Sequence, residues 1–349
     1  MDEVITSAPA KAILFGEHAV NRGQVAIAAS VGLRIKCHVR RGGYFYHLQS
    51  KGHARTFTRD EVIALGRQVD EWRAAGDYAA IRQLAARDYF APAQYIIAHA
   101  MRSIPALEDG LDIAFASEIP RSGGLGSGGA AHAALARALY HFAAGDADLS
   151  PGAQNQAQIG AWAYLGDVIA HGGIASALDT QTSLLGGVIR YSTEAWGERI
   201  PVAPGLQLVI GDTGVRGQTS EVNSRVREWL ASDPTRMRYF EMIGALSEAA
   251  QKGLEQGDWR LLGKLMNLNQ LALEKIGVSC PELERLIDAA IGAGAPGAKL
   301  SGSGGGGIMI ALATDETREA VVQALHQAGA YAVYAPEIAV QGAQVEAMS

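Results

Sequence analysis

Cysteine is scarce in this sequence of 349 residues, which contains only Cys37 and Cys280. A disulfide framework or a zinc site needs more thiols at closer spacing, so we exclude both and expect two buried thiols. Apolar runs are short as well. None approaches the roughly 20 residues of a membrane-spanning helix, and the N-terminus lacks the basic start and apolar core of a signal peptide. We therefore expect a cytoplasmic protein with no membrane partner.

An excess of positive charge is also missing, because the formal net charge is -6. This balance argues against nucleic acid as a partner, although it leaves room for a local basic pocket that binds a small anion. Hydrophobic residues make up 48% and charged residues 19% of the chain, which is an ordinary globular composition. The length allows two domains and a large core.

Glycine, by contrast, is concentrated in the stretch 120–131, where it supplies five of twelve residues. An apolar, strand-like run at 111–116 precedes this stretch, and an Ala-rich, helix-like run from His132 to about residue 144 follows it. A glycine-rich loop that opens a helix can bind an anion, because its N–H groups and the helix dipole both attract negative charge. The stretch is therefore a candidate phosphate loop.

Three interpretations of this loop compete. It is not a Walker loop, because it has no Gly-Lys-Ser/Thr ending. Gly124, Gly126 and Gly129 match the dinucleotide fingerprint, but the chain beyond the helix does not continue as a regular βαβ unit with an acid after the next strand. A purely structural loop is the second alternative. A distinct nucleotide-phosphate loop is favoured, because a second glycine-rich element at 302–307 could close on the same ligand.

Two isolated charged residues need an explanation. Lys11 lies inside the apolar run 10–15, where it is either a snorkelling edge lysine or a side chain directed at a phosphate or an acid. Asp179 stands among small and apolar residues, where it is either a helix cap or a functional acid. Glu17 and His18 form either a plain polar turn or part of a site.

The order of apolar patterns predicts short strands, then helices over 56–104, and a boundary near residue 200 that divides the chain into domains 1–200 and 201–349. We expect strands near 10–15, 25–31, 33–39, 188–191, 206–210, 298–312 (broken by glycines) and 330–340, and helices near 154–170, 219–231, 235–255, 258–276, from Pro281 onward and near 315–328.

Three motifs in order resemble those of the GHMP kinase superfamily: residues 8–20, the loop 120–131, and residues 299–307. Gly16-Glu17-His18 and Gly277-Val278-Ser279 are most similar to the mevalonate kinases within it. The resemblance implies an α+β fold of two domains, with an N-terminal ribosomal-S5-like α/β half and a C-terminal ferredoxin-like α+β half.

The same resemblance implies ATP-dependent phosphorylation of the primary hydroxyl of mevalonate to 5-phosphomevalonate, with Mg²⁺ as cofactor and a homodimer as the assembly. A kinase for another small alcohol, such as a sugar or a different hydroxy acid, is an alternative. A nucleotide sensor without catalysis is a weaker one, because a sensor does not need both Lys11 and Asp179.

The resemblance also assigns roles to individual residues. Asp179 and Lys11 would be catalytic, since a carboxylate can take the hydroxyl proton and a neighbouring lysine keeps it ionised. Glu17 and His18 would contact the substrate, and Asp167 and Ser127 would hold magnesium. The residues expected to bind ATP are Gly123, Gly124, Leu125, Gly126, Ser127, Gly128, Gly129, Gly304 and Gly305.

The chain departs from the family at three places near these residues. Gly128 stands where the family usually has a second serine, and Asp167 is one methylene shorter than the usual glutamate. The segment between His171 and Asp179 lacks the usual Pro-Ser-Gly and is one residue longer. We therefore expect the metal to be held mainly through phosphates, water and Asp167.

Overall fold

The computed structural model describes residues 2–120, 123–144, 153–217 and 219–348, and these form two sheets with helices packed on them. Its strands are β1 (Glu3–Phe15), β2 (Ala26–Arg41), β3 (Phe45–Ser50), β4 (His53–Thr58), β5 (Leu111–Ser117), β6 (Val188–Ser192), β7 (Trp196–Ile200), β8 (Gln207–Asp212), β9 (Gly297–Ser301), β10 (Ile308–Ala313), β11 (Ala332–Tyr334) and β12 (Gln344–Met348). Its α-helices are α1 (Arg59–Ala75), α2 (Tyr78–Arg87), α3 (Ala91–Ser103), α4 (Ser127–Ala144), α5 (Ala153–Ala170), α6 (Leu178–Leu185), α7 (Thr219–Ala231), α8 (Met237–Gln256), α9 (Trp259–Ile276), α10 (Pro281–Gly292) and α11 (Arg318–Gln327). The α+β prediction is confirmed.

The first sheet has eight strands in the order β12-β1-β2-β5-β3-β4, with β6 paired to β2 and β7 paired to β6. All these pairings are antiparallel except β3 with β5. The predicted break between strands at 25–31 and 33–39 is wrong, because β2 runs through both. Gly32 and Leu33 instead form a bulge, since Pro9 pairs with Arg34 and Ala10 with Val31.

Helices α3, α4 and α5 form a layer on this sheet, and α4 lies directly on β1 and β2. The alanines of α4 are small enough for the helix to approach the strands closely, and most are fully buried: Ala130, Ala133, Ala134, Ala136 and Ala138. This packing fixes the start of α4, and with it the glycine loop, against the end of β1.

The second sheet has four antiparallel strands in the order β11-β8-β10-β9. Helices α9, α10 and α11 contact it, while α8 packs on α9 and also reaches β1 and β2 of the first sheet. Strand β12 returns to the first sheet, where Val4 pairs with Met348. The domain boundary near residue 200 stays a prediction. The last strand, β12, follows that boundary in the sequence but pairs with β1 of the first sheet.

Some elements were absent from the sequence prediction. The strands β4, β7 and β12 are short and have at most one buried residue each, so their apolar alternation is weak. Strand β3 alternates exposed and buried residues, but over only six positions. Both cysteines are free, but only Cys37 is buried as expected, while Cys280 is partly exposed. No helix in the described ranges is long and apolar enough to cross a membrane.

Candidate active site

A cavity of about 310 Å³ opens where the end of β1, the start of α4, the start of α6 and the turn between β9 and β10 meet. The predicted site residues that line it are Lys11, Glu17, His18, Gly123, Gly124, Gly126, Ser127, Gly128, Gly129, Asp167 and Asp179. Residues separated by more than 160 positions in the sequence thus share one wall. The sheet and the two helix starts bring them together.

The centre of the cavity is an ion pair between Lys11 Nζ and Asp179 Oδ1, which are 3.0 Å apart. Lys11 is 3% exposed and Asp179 is 25% exposed, so the lysine is not a snorkelling edge residue and the carboxylate remains open to a ligand. Lys11 Nζ also donates to the carbonyl oxygen of Gly124 at 3.2 Å. The cap interpretation of Asp179 is wrong, because the N-cap of α6 is Ala177, with no side-chain capping bond.

Two glycines let the phosphate loop lie against this pair. Gly126 has φ +66°, and a Cβ there would come within 2.7 Å of Lys11 Cγ. A Cβ at Gly129 would come within 2.8 Å of Asp179 Cβ. Side chains at either position would push the loop away from the ion pair. The first turn of α4 is therefore held beside Asp179 only because both residues are glycine.

Glu17 lies deeper, where its Oε1 accepts a hydrogen bond from Lys299 Nζ on β9. Both side chains are fully buried, and Lys299 also donates to the carbonyl oxygen of Leu300 at 2.6 Å. Burial raises the pKa of Glu17 although the charge of Lys299 opposes it, and burial lowers the pKa of Lys299 although Glu17 opposes it. Glu17 is thus a partnered carboxylate that joins β1 to the second sheet; direct contact with a substrate stays a prediction.

His18 follows in the left-handed region, with φ +60°. Its Nε2 lies 2.9 Å from the carbonyl oxygen of Ser303. Because a carbonyl only accepts, Nε2 carries the hydrogen and Nδ1 is left as an acceptor. Burial lowers the pKa of His18 to about 4, the hydrogen bond to Ser303 opposes this, and the charge of Arg22 adds to it. His18 is therefore neutral at physiological pH.

Asp167 is 1% exposed and lines the same cavity. Its Oδ1 accepts from His132 Nδ1 at 2.9 Å, and its Oδ2 accepts from the hydroxyl of Thr180. Burial opposes the ionised form, but the hydrogen bonds from His132 and Thr180 and the charges of His132 and His171 outweigh it and hold the pKa of Asp167 below its usual value. Asp167 is thus an ionised carboxylate at the wall of the cavity.

Ser127 begins α4 and lines the cavity beside Gly128. The position of a Cβ at Gly128 is open, since the nearest atom, His132 Cε1, would lie 3.8 Å away. The glycine at position 128 therefore leaves open space in the cavity, whereas Gly126 and Gly129 are needed for close contact with Lys11 and Asp179.

The second glycine-rich element, residues 302–307, reaches the cavity through residues other than the predicted Gly304 and Gly305. Gly302 and Ser303 line the cavity, whereas Gly304 and Gly305 pack against Val278, whose carbonyl oxygen accepts from Gly305 N at 2.8 Å. Leu125 is buried, and its carbonyl oxygen accepts from Lys11 N at 3.0 Å. Backbone packing in the loops explains these three positions, and ATP contact by Leu125, Gly304 and Gly305 stays a prediction.

The sequence analysis did not assign a functional role to three side chains of the site: Lys299, His132 and Thr180. Lys299 is a lysine inside an apolar strand, the same signal that singled out Lys11, so it could have been found. His132 and Thr180 carry no such signal, because a histidine on an Ala-rich helix and a threonine beside Asp179 are ordinary in sequence. Only the packing of α4, α5 and α6 brings them to Asp167.

This arrangement combines three chemical capacities. The start of α4 directs N–H groups and the positive end of the helix dipole into the cavity, which suits phosphate. Asp179 supplies a carboxylate that can accept a proton, and Lys11 balances its charge. Asp167 supplies a second carboxylate at the wall. The residues that the structure describes contain no cluster of three or more His, Cys, Asp or Glu side chains that could hold a metal ion.

Comparison with known proteins identifies the family of the chain. The family model described as GHMP kinases N terminal domain matches residues 92–187, and the one described as GHMP kinases C terminal matches residues 250–331. The mevalonate kinase of Pyrococcus abyssi is 31% identical over 341 residues, which cover 93% of each chain. That of Thermococcus gammatolerans is 32% identical over 355 residues, which cover 98% of each.

Among solved structures, the fold is similar to that of L. major mevalonate kinase in complex with R-mevalonate. The TM-score is 0.71 at 26% identity, over 98% of this chain and 96% of the other.

Proposed function

The chain belongs to the GHMP kinase family, and we propose that it transfers the γ-phosphoryl group of ATP to the primary hydroxyl of mevalonate, giving 5-phosphomevalonate and ADP. The observation that carries the proposal is the Lys11–Asp179 pair, 3.0 Å apart, at the start of a glycine-opened helix. A proton acceptor and an anion site thus face the same cavity. The choice of mevalonate rests on relatives of that name at about 30% identity over nearly the whole chain.

Asp179 acts as the general base in this proposal. As the bond forms between the acceptor oxygen and the γ-phosphorus, the hydroxyl proton moves to Asp179, and the bond from that phosphorus to the β,γ-bridging oxygen breaks. Lys11, held by Asp179 and by the carbonyl of Gly124, balances the charge of the carboxylate and offsets charge on the phosphoryl oxygens. The N–H groups at the start of α4 bind the phosphates.

The nucleoside has a suitable cavity next to the phosphate loop. A second cavity of about 230 Å³ lies between α4 and the strands β2 and β5, and its wall includes Phe90, Phe115 and Leu135. Ser127 and Gly128 line both cavities, so a nucleotide whose phosphates reach Asp179 can place its base among these apolar side chains.

The residues present fit a magnesium ion held mostly by the nucleotide. Mg²⁺ prefers oxygen ligands and is often bound by one or two carboxylates together with phosphates and water. Each oxygen of Asp167 accepts one hydrogen bond from the described residues, and a carboxylate has about four acceptor positions, so Asp167 can still bind a cation from the cavity side. We assign Asp167 and Ser127 to this role. The bound cation would neutralise charge on the phosphates.

The acceptor alcohol is tested with purified enzyme, ATP and a panel of small alcohols: mevalonate, galactose, homoserine and phosphomevalonate. We expect ADP release with mevalonate and little with the others. Turnover of another alcohol without turnover of mevalonate would reject the substrate but keep the kinase. No ADP release with any of them, despite nucleotide binding, would favour a sensor.

One observation keeps a different alcohol as the second candidate. The acceptor side of the cavity is lined by His171, Ile174, Ala175 and Ser176, the segment that departs from the family pattern. The homodimer, the cytoplasmic location and the absence of nucleic-acid and membrane partners stay predictions.

A further inference from the structure

Three buried side chains from three consecutive helices meet at the wall of the cavity, where Asp167 lines it, and His132 also lines the second cavity. Asp167 of α5 is central: His132 of α4 donates to its Oδ1 at 2.9 Å, and Thr180 of α6 donates to its Oδ2. Thr180 is fully buried, Asp167 is 1% exposed and His132 is 6% exposed. We call these residues the buried triad. Each helix it joins carries a different part of the site.

The His132 end of the triad lies one turn beyond the phosphate loop. His132 follows Ser127 and Gly128 on α4, and its Cε1 faces the open position at Gly128. The ring packs directly on α5, because a Cβ at Gly166 would come within 2.4 Å of His132 Cγ. Glycine beside Asp167 therefore makes room for the imidazole, and α4 and α5 are fixed to each other at this point.

The Thr180 end lies next to the proposed base. Thr180 directly follows Asp179 in the first turn of α6, and its hydroxyl holds that turn to Asp167. Asp179 in turn faces Lys11 at 3.0 Å and rests against the backbone of Gly129. A shift of the first turn of α6 would therefore move the base relative to the phosphate loop.

We propose that His132 and Thr180 are positioning residues: through Asp167 they fix the distance between the phosphate-binding start of α4 and the base Asp179, and they orient Asp167 toward the metal. This inference rests on the proposed function. It differs from a role in folding alone, because it places the loss in the chemical step and in metal binding rather than in stability. Hydrogen bonds that orient a metal-binding carboxylate are worth about 10–100-fold in metal affinity or activity.

The decisive variant is Thr180→Val, which removes the hydroxyl and keeps the shape. We expect kcat to fall about 10–100-fold while KM for the acceptor changes less than about twofold. Mn²⁺ affinity in the presence of β,γ-imido-ATP, measured by electron paramagnetic resonance, should fall as well. Thr180→Ser restores the hydroxyl and should recover most of both losses.

The matched control is Thr182→Val on the same helix. Thr182 is also fully buried, but its hydroxyl donates to the carbonyl of Leu178 in its own helix rather than to Asp167. We expect wild-type kcat and Mn²⁺ affinity for it. If Thr182→Val loses as much as Thr180→Val, the effect belongs to helix packing and the proposal is wrong.

A second pair of variants tests the other end. His132→Asn keeps a donor near the place of Nδ1, whereas His132→Leu removes it, so the leucine variant should lose more Mn²⁺ affinity.

Wild-type kcat and Mn²⁺ affinity in Thr180→Val would overturn the proposal. The metal measurement needs no acceptor alcohol, so it decides the role of the triad even if the substrate panel rejects mevalonate.

Discussion

Two lysine–carboxylate pairs flank the same cavity, and they differ in burial. In the first pair, Lys11 faces Asp179, whose side chain is 25% exposed. In the second, Lys299 bonds to Glu17, and neither side chain is exposed at all. Both lysines come from apolar strands, β1 and β9, and both carboxylates belong to segments outside those strands. The residue types are the same, and the exposure of the carboxylate separates the two pairs.

This difference indicates different roles. A carboxylate that remains partly open can accept a proton from a bound alcohol, so the Lys11–Asp179 pair suits catalysis. A fully buried pair is shielded from solvent, and removing one partner leaves an uncompensated buried charge. The Glu17–Lys299 pair therefore joins the two sheets and holds the turn at His18. We expect disruption of the first pair to affect rate and disruption of the second to affect stability.

The largest effect is expected for Asp179→Asn. Loss of the proton acceptor should lower kcat by about 10²–10⁴-fold. The free energy of unfolding should fall less than in Lys299→Met, because asparagine still offers Lys11 an oxygen and Lys11 keeps its bond to the carbonyl of Gly124. Steady-state kinetics and urea denaturation measure the two quantities. Asp109→Asn, at a carboxylate that is 78% exposed, is the control. A variant with near wild-type kcat would remove Asp179 as the base.

The next effect is expected for Lys299→Met. It leaves Glu17 buried without its charge partner, which typically costs about 3–5 kcal/mol of the free energy of unfolding. Urea denaturation gives the value, and Lys264→Met, at an exposed lysine of α9, is the control. Combining Lys299→Met with Glu17→Leu should recover much of the loss, because both charges are then absent. A loss below about 1 kcal/mol in the single variant would contradict this role for the pair.

A smaller effect, confined to acid pH, is expected from His18. Its pKa is about 4 in the folded chain and about 6.5 unfolded, so the unfolded state binds the proton first as the pH falls. Stability should therefore be complete above pH 6.5 and decline by up to about 3 kcal/mol as the pH falls to 4.

The measurement for His18 is urea denaturation across this pH range. His18→Asn is the comparison, since asparagine tolerates φ +60°. Between pH 6.5 and 4, the free energy of unfolding should fall by up to about 3 kcal/mol less in the variant than in the wild type. Identical pH profiles for both proteins would exclude His18 as the source of the decline.

Much of the fold could be predicted from local pattern. The helices α7, α8, α9 and α10 lie within a few residues of their expected bounds, because each carries an apolar face long enough to show its period. Helix α5 was also found, but as a long, mostly apolar stretch rather than from a period. Strand β2 was divided wrongly at Gly32, since a bulge looks like a turn in sequence. Strand β12 could not be assigned to the first sheet, because pairing between residues more than 300 positions apart leaves no local signal.

The sequence alone determined which chemical groups this protein has: a glycine-opened helix, a lysine in an apolar strand and an isolated aspartate. Tertiary structure decided how those groups are used. It paired Lys11 with Asp179 at the cavity, bonded Glu17 to Lys299 behind it, and brought His132 and Thr180 to Asp167. The physical reason is that residue type fixes charge and hydrogen-bonding capacity, whereas burial and partner distance, which depend on packing between distant segments, fix what that capacity does.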